Sequence, residues 1–180
     1  MKLHNRHIRQ QGAALITSLV ILLILTVLGV SAMSTSSLEE YMAGNLRDKV
    51  VSFQAAETGL RDAERTITGF GAPPPPTSTG ANSGIYERDT FGDFATTAFD
   101  ASIWPAAATE YGTAGAVNLS GVAEDPFYII EEYQFISKDA SLQSQMTGQG
   151  KIYYRITSRG VGLSPNAVTL LQETTAKRFK

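Results

Sequence analysis

Cysteine is absent from the 180-residue chain, and its two histidines, His4 and His7, both fall in the first ten residues. No disulfide framework and no thiolate metal site can form. A chain trimmed near residue 12 would also hold no histidine, which excludes Ser/His and Cys/His nucleophilic schemes from everything downstream. Charge is missing from Arg9 to Glu39, and proline from Ala13 to Thr68. A strong net charge is missing too: the formal value is −2, which gives no reason to expect a polyanionic partner. With 43% hydrophobic and 18% charged residues, the chain lacks the composition of a disordered protein. Its length suits one domain. Lys2, Arg6 and Arg9 lie in the first twelve residues, so the remainder carries 12 of the 15 basic residues against 17 acidic ones, a balance of −5.

The charge-free stretch is filled with aliphatic residues. Twelve of the positions from Ala13 to Met33 are Leu, Ile or Val. About 20 apolar residues cross a bilayer core as a helix, and these twelve favour insertion by roughly 4 to 7 kcal/mol. Thr17, Ser18, Thr26 and Ser31 offset part of this, although their hydroxyls can bond back to the helix. The basic flank before the run and Glu39-Glu40 after it predict a cytoplasmic N-terminus and an exported remainder.

Three readings fit this segment: a signal anchor, a secretory signal peptide cut near Val30-Ser31-Ala32, and a leader cut ahead of the apolar run. The run is longer than the ~7–15 residues of a usual signal-peptide core. Gly12 stands at the junction between the basic leader and the run. The helical pattern also continues past the membrane edge, which a disposable signal would not require. These features favour the third reading.

Beyond the span, apolar residues recur at Leu38, Met42, Leu46, Val50, Phe53, Ala56, Leu60, Ala63 and Ile67, in steps of three and four that predict one buried stripe. Glu39, Arg47, Asp48, Lys49, Arg61, Asp62 and Arg65 would form the solvated face. Gly29, Gly44 and Gly59 each cost about 1 kcal/mol relative to Ala; Gly29 and Gly44 read equally well as bends, close-packing points or tolerated residues. An unbroken helix of this length spans roughly 80 Å.

The helix cannot continue through Gly69 to Gly84, GFGAPPPPTSTGANSG, where four prolines remove donors and force extended geometry. Residues 85–125 include Phe91, Phe94, Phe99 and Trp104, a pattern of short irregular elements packed over a sheet. Strand signals then follow at Pro126–Ser137, Lys151–Arg159 and Ala167–Thr175. Consecutive strands with short connections predict an antiparallel meander whose inner face packs on the amphipathic helix. The fold class is therefore α+β. Its parts are a leader (1–12), a membrane half of the helix (13–37), an amphipathic half (38–68), a connector (69–84) and a globular part with the antiparallel sheet (85–180).

The stretch GAALITSLVILLILTVLGVSAMSTSSLEEYMAGNLRDKVVSFQAAETGLRDAE resembles the N-terminal region of the PilX family of type IV pilus minor pilins. The tail YYRITSRGVGLSPNAVTLLQETTAKRF resembles the closing strands of that family. MAGNLRD and SFQAAE carry the most specific part of the resemblance. It implies a type IV pilin-like fold, insertion in the inner membrane, cleavage between Gly12 and Ala13 by a prepilin peptidase, and N-methylation of Ala13. It further implies an inner-membrane assembly platform, other minor pilins, the major pilin and a tip adhesin as partners. The pilus would serve twitching motility, adhesion or DNA uptake.

Two positions depart from major pilins, whose mature chain usually begins with Phe and carries Glu as its fifth residue. Here those residues are Ala13 and Thr17. Thr17 cannot neutralise a neighbour's terminal amine, and an unpaired charge in the apolar bundle is costly. A place at or near the tip follows. The K-type pseudopilin of type II secretion is similar in lacking the acid, so that machine is one alternative; a signal-anchored periplasmic binding module is another.

No enzymatic site, metal site or cofactor is expected. Paired carboxylates occur at Glu131-Glu132 and Glu39-Glu40; the first pair reads as solvated charge, because adjacent strand residues face opposite sides. Asp89, Asp93 and Asp100 lack the spacing of a calcium loop. Asn118-Leu119-Ser120 matches a glycosylation sequon by pattern only. Lys177, Arg178 and Lys180 read as a solvated tail, with no direct nucleic-acid contact.

Overall fold

A computed structural model describes residues 11–80, 84–92, 103–112, 118–137 and 150–179. The basic leader residues Lys2, Arg6 and Arg9, together with Phe94, Phe99, Asp93, Asp100 and Lys180, lie outside the described residues. The long helix α1 covers Gln11–Gly69. It is followed by β1 (Ile85–Tyr86), a short α2 (Ile103–Ala107), β2 (Thr109–Glu110), β3 (Phe127–Ser137), β4 (Gly150–Val161) and β5 (Val168–Phe179). The chain divides at Gly44 and Asn45 into two compact units, each containing part of α1.

In the first unit every described side chain from Ala13 to Gly44 is exposed. Aliphatic residues surround the helix on all sides, so no single face can be buried by a neighbour from the same chain. Among the described residues nothing lies within 4 Å of a Cβ built at Gly29 or Gly44, so neither glycine packs closely against them.

The second unit has the expected α+β architecture. β3, β4 and β5 form the antiparallel meander, with Ile130 opposite Ile156 and Ile156 opposite Glu173. The sheet as a whole is mixed. β1 runs parallel to β3 and β2 antiparallel to it, side by side along one edge. Thr77, just past the proline run, bridges to Tyr86 and brings the connector back to the sheet. Strands of two residues are too short to carry a period, and so leave no sequence signal.

One face of the sheet buries Tyr128, Ile130, Ile152, Tyr154, Ile156 and Phe179 against Leu60, Ala63 and Ile67 of α1. On the other face, Trp104, Tyr86, Phe127 and Ile129 form a second apolar cluster. Helix and sheet approach closely because small residues meet. A Cβ on Gly160 would collide with Ala56 N and Ser52 O, and one on Gly59 with Ser158 Oγ.

The expected buried stripe holds only in part. Ala56, Leu60, Ala63 and Ile67 are buried, whereas Leu46, Val50 and Phe53 are exposed, as are Leu38 and Met42 in the first unit. Steps of four advance about 40° more than one turn. Over successive steps, Leu46 and Val50 therefore rotate off the face that Ala56 and Ala63 present to the sheet.

The expected solvated face holds at Glu39, Arg47, Lys49, Arg61 and Arg65, which are exposed, whereas Asp48 is half-buried and Asp62 buried. Lys49 Nζ donates to Val168 O at 2.9 Å, and Ser52 Oγ meets Thr169 Oγ1 at 2.6 Å. Asp48 accepts from the Ser164 amide at 3.2 Å and from the Ser164 hydroxyl. Asp62 is buried, paired with Arg65 at 3.1 Å. Asp48, Lys49 and Ser52 thus fasten α1 to the sheet and its turns.

Candidate assembly surface

Gly12 and Ala13 lie in the first turn of α1, and Ala13 is exposed. Thr17 is one turn further on. Its Oγ1 donates within its own helix, 3.1 Å from Ala13 O and 3.0 Å from Ala14 O. Ser18 and Thr26 do the same to Leu15 O and Leu23 O. These three hydroxyls of the apolar run are thus satisfied locally, as hydrocarbon surroundings require. The run is apolar enough to cross a membrane, with a mean hydropathy of 2.8 over its strongest stretch. It carries no acid or base from Gln11 to Leu38. An assembly of such helices would have to hold any buried amine without a carboxylate from this segment.

In the second unit, Leu46, Val50 and Phe53 add exposed apolar area to α1. The C-terminal end of the helix is held in an unexpected way. Lys177 Nζ reaches from β5 to Ile67 O at 2.8 Å and Thr68 O at 2.7 Å, and also donates to Phe70 O. The last turn of α1 contains no basic residue, so a strand supplies the cation that complements its free carbonyls. Lys177 therefore does not belong to a solvated tail. Its role depends on where the helix ends in space, 107 to 110 residues earlier in sequence.

Glu131 corrects a second expectation. It is 1% exposed, and Arg155 donates to its Oε2 from Nε at 3.0 Å. Burial pushes the Glu131 carboxyl above the usual range, and the Arg155 guanidinium opposes that. The same guanidinium reaches Asp89 at 2.8 Å, and Arg88 pairs with Asp89 at 3.1 Å. The hydrogen bond from Arg155 holds the Asp89 carboxyl below its ordinary value. Asp89 takes a positive φ of 58° in its turn, a conformation Asp tolerates better than most residues. With two guanidinium groups on it, Asp89 is a poor cation ligand. Among the described residues no group of three His, Cys, Asp or Glu side chains could hold a metal. The cluster instead pins residues 87–90 to the sheet. Nothing in the sequence marked it, because Asp89 and Arg155 are 66 residues apart.

Comparison with known families gives two matches. The PilX N-terminal family model matches residues 11–61. The model for the C-terminal part of type IV pilus assembly protein PilX matches residues 63–177. No curated protein matches, and no solved structure does.

Proposed function

The chain belongs to the PilX family of type IV pilus assembly proteins, a family of structural pilus components, and from that premise we propose that it is a non-catalytic minor pilin placed at or near the pilus tip. A prepilin peptidase cuts between Gly12 and Ala13, and Ala13 becomes the N-methylated terminus. Before assembly the chain sits in the inner membrane with its N-terminus cytoplasmic and its C-terminal part periplasmic. The assembly platform then moves it into the pilus, where it primes or caps the fibre beside other minor pilins, the major pilin and a tip adhesin. Twitching motility, adhesion or DNA uptake are the processes such a pilus serves.

The observation that carries the tip placement is Thr17. Its hydroxyl is spent on its own helix, and no carboxylate lies between Ala13 and Leu38. A bulk subunit needs a group to meet the terminal ammonium of its neighbour inside an apolar bundle, where an unpaired charge costs several kcal/mol. A terminal position asks for no such repeat. Position-resolved labelling of assembled pili tests this. Wild-type chain confined to the tip, with Thr17→Glu spread along the filament, supports the placement; identical distributions of the two overturn it. Mass spectrometry of the membrane-derived N-terminus, with and without active peptidase, tests the processing step separately. A terminus at Met33 would refute it.

A further inference from the structure

The face of the sheet turned away from α1 carries four cations on β4 and β5: Lys151, Arg155, Arg159 and Arg178. Two are neutralised. Arg155 is held between Glu131 and Asp89, and Arg159 pairs with Glu124 at 2.8 Å. Lys151 and Arg178 break the pattern. They stand directly opposite each other in the β4–β5 register, and among the described residues neither is paired with a carboxylate. Like charges placed opposite one another on neighbouring strands are destabilising, and among the described residues no carboxylate offsets the cost.

These two cations line a cavity of about 560 Å³ together with Ile136, Ser137, Tyr153 and Phe179. Its size falls within the roughly 300–1,000 Å³ of small-molecule sites. Ile136 is exposed and sits beside Lys151 across the β3–β4 pair. Tyr153 lies on the same face, with Lys151 Nζ 4.8 Å from its ring centroid. The cavity therefore offers a cationic corner next to apolar and aromatic walls.

We propose that this cavity binds a carboxylated sugar. The carboxylate would lie against the Arg178 guanidinium, which matches it in a planar fork, with Lys151 adding a second charge. The sugar ring would cover the Ile136 and Tyr153 walls. An inorganic anion alone would leave those walls unfilled, and a neutral sugar would leave both cations unpaired. A free uronic acid and the uronic units of a polysaccharide present the same chemistry, so both are used as probes.

The test is calorimetric titration of the full chain in nanodiscs of zwitterionic lipid with glucuronate, an oligoglucuronate, glucose and inorganic phosphate. The expected result is saturable binding of glucuronate or of the oligomer, weakened at least about tenfold by Arg178→Gln and by Lys151→Gln and also weakened by Tyr153→Ala. Binding of the monomer identifies free acid as sufficient, whereas binding of the oligomer alone identifies a polysaccharide. No saturable binding of either would overturn the proposal. So would glucose binding equally well, phosphate binding as tightly as glucuronate, or affinity unchanged in both charge variants. Both charge variants should melt no lower than wild type, because they remove a like-charge pair without touching the core.

Discussion

From Ala13 to Gly44, α1 exposes every side chain, and five of its hydroxyls turn back on their own helix; from Asn45 onward the same helix also sends polar groups to distant strands. Thr17, Thr26, Thr35 and Ser37 each bond a carbonyl three or four residues back. Lys49 and Ser52, by contrast, find Val168 and Thr169 well over a hundred residues later. Among the described residues nothing covers the first unit, and its all-round apolar surface suits lipid or neighbouring helices. The second unit carries its own core. One helix thus obeys two solvents: local hydroxyl bonds continue past the boundary at Thr58, Thr66 and Thr68, and what changes is the added long-range partners of Asp48, Lys49 and Ser52.

Glycines offer the hardest test of that contrast. Gly160→Leu would drive a side chain into the backbone of Ala56 and Ser52, neither of which can yield. We expect a loss at or above the roughly 1–3 kcal/mol of ordinary overpacking, seen as a collapsed melting transition of the second unit. Gly44→Leu meets open space and should leave that transition intact, gaining up to about 1 kcal/mol of helix propensity. Equal effects of the two would mean that the helix does not dock on the sheet as described.

Charge insertion approaches the same contrast from the membrane side. Ile24→Arg places a guanidinium in the middle of the apolar run, at a cost of roughly 2.5–3.5 kcal/mol for insertion. It should shift the chain from the alkali-resistant membrane fraction to the soluble one. Val50→Arg, in the exposed part of the second unit, should leave the fractionation unchanged. A smaller effect is expected for Lys177→Met, which leaves the carbonyls of Ile67 and Thr68 without their cation. A loss of about 1–2 kcal/mol follows from the charged hydrogen bonds given up, and hydrogen exchange should report fraying confined to the last turn of α1.

The sequence is legible where structure is written as a period. Aliphatic density and missing charge mark the first half of α1; the steps to Ala56, Leu60, Ala63 and Ile67 mark the docked face; and alternation at Ile152, Tyr154 and Ile156 marks β4. It is illegible where a residue's role depends on a partner far along the chain. Glu131 reads as half of a solvated acidic pair until Arg155 and Asp89 are brought to it. Lys177 reads as tail until the end of α1 arrives beside it. β1 and β2 hold two residues each and carry no pattern. The stripe from Leu38 to Phe53 reads as continuous only if the drift of four-residue steps is ignored. The proposal for Gly12, Ala13 and Thr17 is of a different kind, because a leader junction would be a linear signal needing no fold.

The finest distinction concerns Asp48, three residues past the boundary between the two units. The Ser164 hydroxyl holds its carboxyl below the ordinary aspartate value, opposed by burial and helped by the amides of Ser164 and Leu163. A carboxylate whose pKa is depressed by folding adds stability above its unfolded value, near pH 4. That contribution fades as pH falls through the folded value, because folded and unfolded chains then carry the same proton. Asp48→Asn should therefore melt below wild type at neutral pH, with the gap closing on acidification beneath about pH 4. A gap that stays constant with pH would mean that shape and hydrogen bonding, not the charge, fasten this turn to α1. The tie at the start of the second unit would then be no more electrostatic than the self-contained hydroxyls before it.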